Sequence, residues 1–302
     1  MGNDNPPFMF DDQDPEHLVT IDNFTLGETE VPNAHYILFL NDMASLGNLM
    51  IEEGVPGDWS SDSTEIANGH AWNIILDPEI FPWGGQTLIK LSDIPGGGQH
   101  PLNRCWIELD TTSYTFSVVE GYENWPSSWV SWYGAMMYAD YYGLTLPTEA
   151  EWEKAARGEL GQVYPWGNLA PSDTRARYFK TWTEEEKHKV MMPVHALIEG
   201  QSPYGLHNMA GNVKEWVDDW YDREYYKEQS EYANPRGPIG GEFKGVRGGS
   251  WRDLKGFIYS SFRNNGNPQS RMDDYGFRCA KNATPTSDEK KLTSRAVPRN
   301  KG

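Results

Sequence analysis

The seventeen residues from Tyr204 to Trp220, YGLHNMAGNVKEWVDDW, constrain this chain more than any other stretch. Asn208, Gly211, Asn212 and Glu215 lie there between aromatic and apolar residues, a density of turn-formers and oxygen ligands that regular helices and strands rarely carry. Gly211-Asn212 is a turn dipeptide, because both residue types tolerate a positive φ. The chain must bend there. A bend that gathers the Asn208 side-chain oxygen, the carbonyls of Gly211 and Val213 and the Glu215 carboxylate would offer a hard cation an oxygen-only nest, the ligand set calcium prefers. In the alternative, Asn208 caps a turn, Glu215 is a solvated charge and the aromatics are core.

A length of 302 residues allows one large domain or two ordinary ones. With 13 Trp, 16 Tyr and 11 Phe beside 30 Gly and 20 Pro, the expected fold is irregular, loop-rich and held by aromatic packing, with few long helices. A formal charge of −18 disfavours nucleic acid and anionic membrane surfaces as partners and favours cations and neutral or basic ligands. No apolar run reaches the roughly 20 residues of a membrane span. The N-terminus, MGNDNPPF, has no charged-then-apolar signal, so the expected compartment is cytoplasmic unless a signal was removed, in which case it is periplasmic or extracellular. Cys105 and Cys279 allow one bridge or two buried thiols.

Along the chain, residues 15–45 read as a strand and then a helix opened by Pro32-Asn33, with Tyr36, Ile37, Phe39, Leu40 and Met43 inward. Residues 46–128 read as a decorated insertion with short strands at Trp72–Leu76 and Tyr114–Val119. A helix is expected over 129–142, capped by Ser131 and ended by Gly143. LPTEAEWEKAARG, 146–158, carries a capping box at Thr148 and Glu151. Capping and helix-dipole effects explain its glutamates without catalysis. A charged helical patch follows at 183–189, where His188 is solvated, then a short strand at 191–196. VRGGSW, 246–251, is a strand interrupted by paired glycines, without the G-x-S-x-G pattern of a hydrolase elbow. The domain plan is thus an arm over 1–14, one domain over 15–282 and a disordered tail over 283–302.

EVPNAHYILFLN at 30–41, LPTEAEWEKAARG with YPWGN at 164–168, the 204–220 stretch, and VRGGSW with GFRCA at 276–280 together resemble the formylglycine-generating enzyme, or sulfatase-modifying factor, family. The resemblance implies an α+β domain of that family's variant of the C-type-lectin fold, low in regular secondary structure. It also implies a structural Ca2+ on Asn208, Gly211, Val213 and Glu215. The segment that supplies the family's second calcium site has no match here.

The departure lies at the chemistry. Family members that oxidise a sulfatase cysteine use two copper-binding cysteines shortly after the GGS motif, and thiolates suit Cu(I). Here the first position falls on Asp253 and the second within Lys255–Ile258, so no copper is expected. The resemblance therefore implies a non-catalytic binding or assembly protein for a polar small molecule, peptide or protein. The alternative is an enzyme of a different oxidative or tailoring chemistry on the same scaffold. The expected groove is lined by Trp251, Arg252, Asp253, Tyr259, Arg263, Asn264 and Asn267, with Asp273 and Asp274 at its rim; Arg263 and Asn267 read equally well as framework residues. His70, His100, His195 and His207 show no metal-ligand spacing.

Overall fold

The computed structural model describes residues 1–4, 11–54, 71–80, 83–92, 105–181, 190–229 and 232–282. The charged patch at 183–189, His70, His100 and the tail from 283 lie outside them.

Helix α1, Asn33–Ser45, starts after Pro32, whose fixed φ suits a helix entrance, and buries Tyr36, Phe39, Leu40 and Met43. Helix α2, Trp132–Tyr141, is capped as its sequence requires: Ser131 accepts from the Gly134 N–H at 3.0 Å. Helix α3, Glu149–Arg157, opens on the complete capping box, with bonds of 3.1 and 2.8 Å between Thr148 and Glu151. A fourth, single-turn helix, α4, spans Tyr225–Glu228.

Eleven short strands complete the described residues. Strand β1, Phe24–Leu26, pairs antiparallel with the last strand, β11, Ala280–Asn282. Strands β2, Leu49–Gly54, β3, Ala71–Leu76, and β4, Thr87–Ser92, form an antiparallel sheet. β5, Ile107–Asp110, and β6, Thr115–Val118, form a hairpin. The central sheet runs in the order β10, β7, β8, β9, from Tyr275–Gly276, Lys214–Trp220, Lys244–Arg247 and Asn264–Gly266.

Two expectations are corrected here. The described strands within 46–128 are no decoration: Ile74, Leu76, Leu88, Ile89, Leu91, Ile107 and Phe116 are buried in the same core as α1, α2 and Trp216. The short apolar runs between its Gly- and Asp-rich stretches supply inward residues to the main core. The stretch 191–196 is not a strand, although Met191 and Val194 are buried. Side-chain amides replace a strand partner. Asn212 takes both backbone groups of Met192, and Asn208 donates to the Val194 carbonyl.

Aromatic N–H groups tie the layers together. Trp216 donates to the Val130 carbonyl at 3.0 Å, Trp132 to Val217 at 2.9 Å and Trp152 to Glu215 at 2.8 Å. α2 lies so close to β4 that a Cβ on Gly134 would stand 2.1 Å from the Leu88 carbonyl oxygen. Among the described residues, no helix is long and apolar enough to cross a membrane.

Candidate functional site

The bend foreseen at residues 208–212 is present: Asn208, Gly211 and Asn212 have φ of 53°, 78° and 66°. Position 211 admits only glycine, since a Cβ there would sit 2.3 Å from the Arg177 carbonyl oxygen. The two asparagines do not face solvent. Their Nδ2 groups donate to the two oxygens of Glu30, at 3.0 Å from Asn208 and 2.8 Å from Asn212.

Glu30 is wholly buried just before α1, and the sequence reading missed its role. Burial, with a contribution from Glu215, pushes its pKa up to about 7, although Arg278 pulls the other way. Glu215 is buried beside it and gripped by Arg278 through contacts of 2.6 and 2.7 Å. Two carboxyl groups face one guanidinium in a closed space, so full ionisation of Glu30 there calls for a further positive charge. The Oδ1 of Asn208 is buried there without a hydrogen-bond partner. An orphaned amide oxygen beside a carboxyl group that lacks a compensating charge offers oxygen ligands of the kind a hard cation such as Ca2+ takes. The side chains that would hold such an ion are those of Asn208, Glu30 and Glu215.

A second cluster surrounds Asp253, where the resemblance would place the first cysteine. Lys214, at the start of β7, places its ammonium 2.7 Å from both Asp253 and Asp274. Ser250 donates its backbone N–H to Asp253 at 2.9 Å, and its Oγ bridges Asp253 and Asp274 at 2.9 and 2.8 Å. Arg252 pairs with Asp273, lies 3.5 Å from Asp274 and covers the Trp251 ring. Burial works against charge on Asp274, but Lys214 and Arg252 outweigh it and hold the carboxyl below its usual range. The same carboxylates raise the Lys214 ammonium above its ordinary value despite burial, so it is a fixed cation and not a base. Within 255–258, Ile258 is fully buried against Tyr164, Ala176 and Ala210.

The expected groove is thereby redrawn. Arg252 and Asp253 stand together, half-buried, with Trp251 buried behind them. Tyr259 is half-buried and stacked on Tyr164 at 4.8 Å. Arg263 is a framework residue, the second of its two readings: it is buried against Glu149 at 2.9 Å and the ring of Tyr226 at 4.0 Å. Asp273 and Asp274 are likewise buried and not a rim. Asn264 sits in β9, and Asn267 is exposed and accepts from the Gln269 N–H. The sequence reading also passed over Phe179. Its N–H donates to the Asp253 carbonyl at 2.8 Å, its φ is 49° and its side chain is 67% exposed. Leu254, next to Asp253 in the chain, is 49% exposed, so Asp253 has an exposed apolar residue after it and another bonded to its carbonyl.

Cys105 and Cys279 are both buried thiols, and burial pushes Cys279 up to about 12. Neither supplies the missing pair near Asp253.

Residues 1–283 match the family described as "Sulfatase-modifying factor enzyme 1-like domain". The formylglycine-generating enzyme of Mus musculus is 30% identical over 307 residues, covering 95% of this chain and 74% of that protein. A second mouse protein, named "Inactive C-alpha-formylglycine-generating enzyme 2", is 37% identical over 164 residues, covering 51% of this chain and 48% of that one. The serine/threonine-protein kinase pkn1 of Chlamydia pneumoniae is 41% identical over 164 residues, covering 54% of this chain and 25% of that protein. The chain spans only a quarter to just over a third of the chlamydial kinases it matches. Among solved structures, PvdO from Pseudomonas aeruginosa superposes with a TM-score of 0.60 at 18% identity, covering 93% of this chain and 90% of that one. By sequence and by fold, this chain belongs to the formylglycine-generating enzyme (sulfatase-modifying factor) family.

Proposed function

We propose that this chain is a calcium-braced binding or assembly domain, retaining the family's variant of the C-type-lectin scaffold without the thiol oxidation of its enzymes. The observation that carries this reading is the contact between Asp253 and Lys214. A copper site of the family type needs soft thiolates. Here the donor is a hard carboxylate already neutralised by an ammonium at 2.7 Å, and that positive charge opposes a second cation. The mouse relative named as inactive is a precedent for the scaffold without the reaction.

Calcium is supported by the unpartnered Asn208 Oδ1 and the carboxyl groups beside it. The binding face is the surface of Arg252, Asp253, Phe179 and Leu254. A bulky residue with positive φ is strained, and a large exposed aromatic beside charged groups is characteristic of a contact surface. The occupant is a polar small molecule, a peptide or a protein segment that presents both charge and an apolar group.

The test is oxygen uptake and aldehyde formation with a cysteine-containing sulfatase peptide, with and without added copper. Both stay at the level of the protein-free control. Peptide aldehyde formed in proportion to the protein overturns the reading. Elemental analysis of the purified chain gives calcium without stoichiometric copper or iron.

A further inference from the structure

Glu28, His195 and His207 each direct one ligand atom into a common space, where the three atoms lie within 4.8 Å of one another. The residues come from three separate segments, and the backbone of each is fixed from within. The His207 N–H donates to the Glu28 carbonyl at 2.9 Å. Arg278 donates to the carbonyls of Gly27, Glu28 and His207 at 3.0, 3.3 and 2.8 Å. The third segment is tied at both neighbours of His195: Val194 accepts from Asn208 at 3.1 Å, and the Ala196 carbonyl faces His207 Nδ1 at 3.0 Å.

That last contact fixes the chemistry of His207. A carbonyl only accepts, so Nδ1 carries the proton and the lone pair of the neutral ring lies on Nε2. Nε2 is 3.7 Å from the Glu28 carboxylate, and the His195 ring stands 5.7 Å away, centre to centre, at 84°. An imidazole whose other N–H is held by a backbone carbonyl is oriented as metal-ligating histidines are. The lone pair is capped by the amide of Gln201 at 2.8 Å, a neutral group that an ion can displace.

Two imidazoles and a carboxylate suit zinc and its first-row neighbours, in contrast to the oxygen-only set around Asn208. Bonds of about 2.0–2.1 Å require ligand atoms roughly 3.3 Å apart in a tetrahedron. His207 is buried, whereas Glu28 and His195 are exposed and can rotate to close the remaining distance. The formal charge of −18 favours a dication.

We propose that Glu28, His195 and His207 form a binding site for a zinc-class divalent ion, with solvent completing its coordination. The site is independent of the calcium reading, and an ion there would clamp the 194–196 segment onto the turn that carries Asn208.

Co2+ serves as the spectroscopic probe on the full chain, with excess Ca2+ present throughout. The expected result is a visible d–d absorption that saturates at one Co2+ per chain and disappears on adding Zn2+. His195→Ala and Glu28→Gln alter exposed side chains and leave the fold intact by circular dichroism; each weakens Co2+ binding tenfold or more. Absence of the absorption in the parent chain, or unchanged affinity in either variant, overturns the proposal.

Discussion

Lys214 holds Asp253 at 2.7 Å from a position where its own side chain is 8% exposed, and it holds the fully enclosed Asp274 at the same distance. Removing one partner from such a buried group leaves charge without compensation, typically at a cost of about 3–5 kcal/mol. Lys214→Met is therefore expected to lower the urea midpoint severely. The double variant Lys214→Met with Asp274→Asn recovers part of that loss, because the deeper carboxylate no longer stands alone. A double variant no more stable than Lys214→Met alone contradicts this account.

Chelation should expose the contribution of calcium. If the ion binds the folded chain at a hundred times its Kd, it stabilises by about 2.7 kcal/mol. EGTA is expected to lower the melting temperature, and added Ca2+ to restore it. Asn208→Ala abolishes that difference. Thermal denaturation of parent and variant, each with and without Ca2+, is the measurement.

Lys244 gives a pH dependence. Its ammonium lies 4.0 Å from the ring centres of both Trp132 and Trp220 and donates to the Asp218 carbonyl at 2.7 Å. Burial lowers its pKa from 10.5 to about 8, although Asp218 and Asp219 favour the charged form. Between these values the unfolded chain binds the proton and the folded chain does not, so this group's contribution to stability rises with pH from about 8 to 10.5. The full shift corresponds to roughly 3 kcal/mol, and the two indole faces reduce it by favouring the cation. Urea titrations of the parent chain and Lys244→Met across this range should differ in slope, the parent rising more steeply.

Gly134→Ala tests the α2–β4 contact. In an exposed helix alanine would stabilise by up to about 1 kcal/mol. Here the new Cβ meets the Leu88 carbonyl oxygen at 2.1 Å, so the substitution destabilises by about 1–3 kcal/mol or more as the helix is pushed from the sheet. A chemical-denaturation midpoint at or above that of the parent chain rules out the close approach.

What could be read from the sequence was local. The Thr148–Glu151 box, the Ser131 cap, the inward stripe of α1 and the turn at Gly211-Asn212 each depend on residues a few positions apart. The buried charges could not be read, since each makes sense only beside a partner remote in sequence. Glu30 meets Asn208 across 178 positions, and Arg263 meets Glu149 across 114. Without its partner, Arg263 reads equally as a groove or a framework residue, and the Asp273-Asp274 pair reads as an exposed rim. Phe179 was missed because nothing in its flanking sequence announces a left-handed backbone at an aromatic residue.

The β1–β11 ladder, with Phe24 opposite Asn282 and Leu26 opposite Ala280, has one further consequence. The early segment at 24–27 has no ladder partner until residues near 280 have been made, since β11 pairs with Phe24–Leu26 and the Cys279 carbonyl accepts from the Gly27 N–H at 2.8 Å. A chain interrupted before those residues leaves that edge open, so the seam closes last.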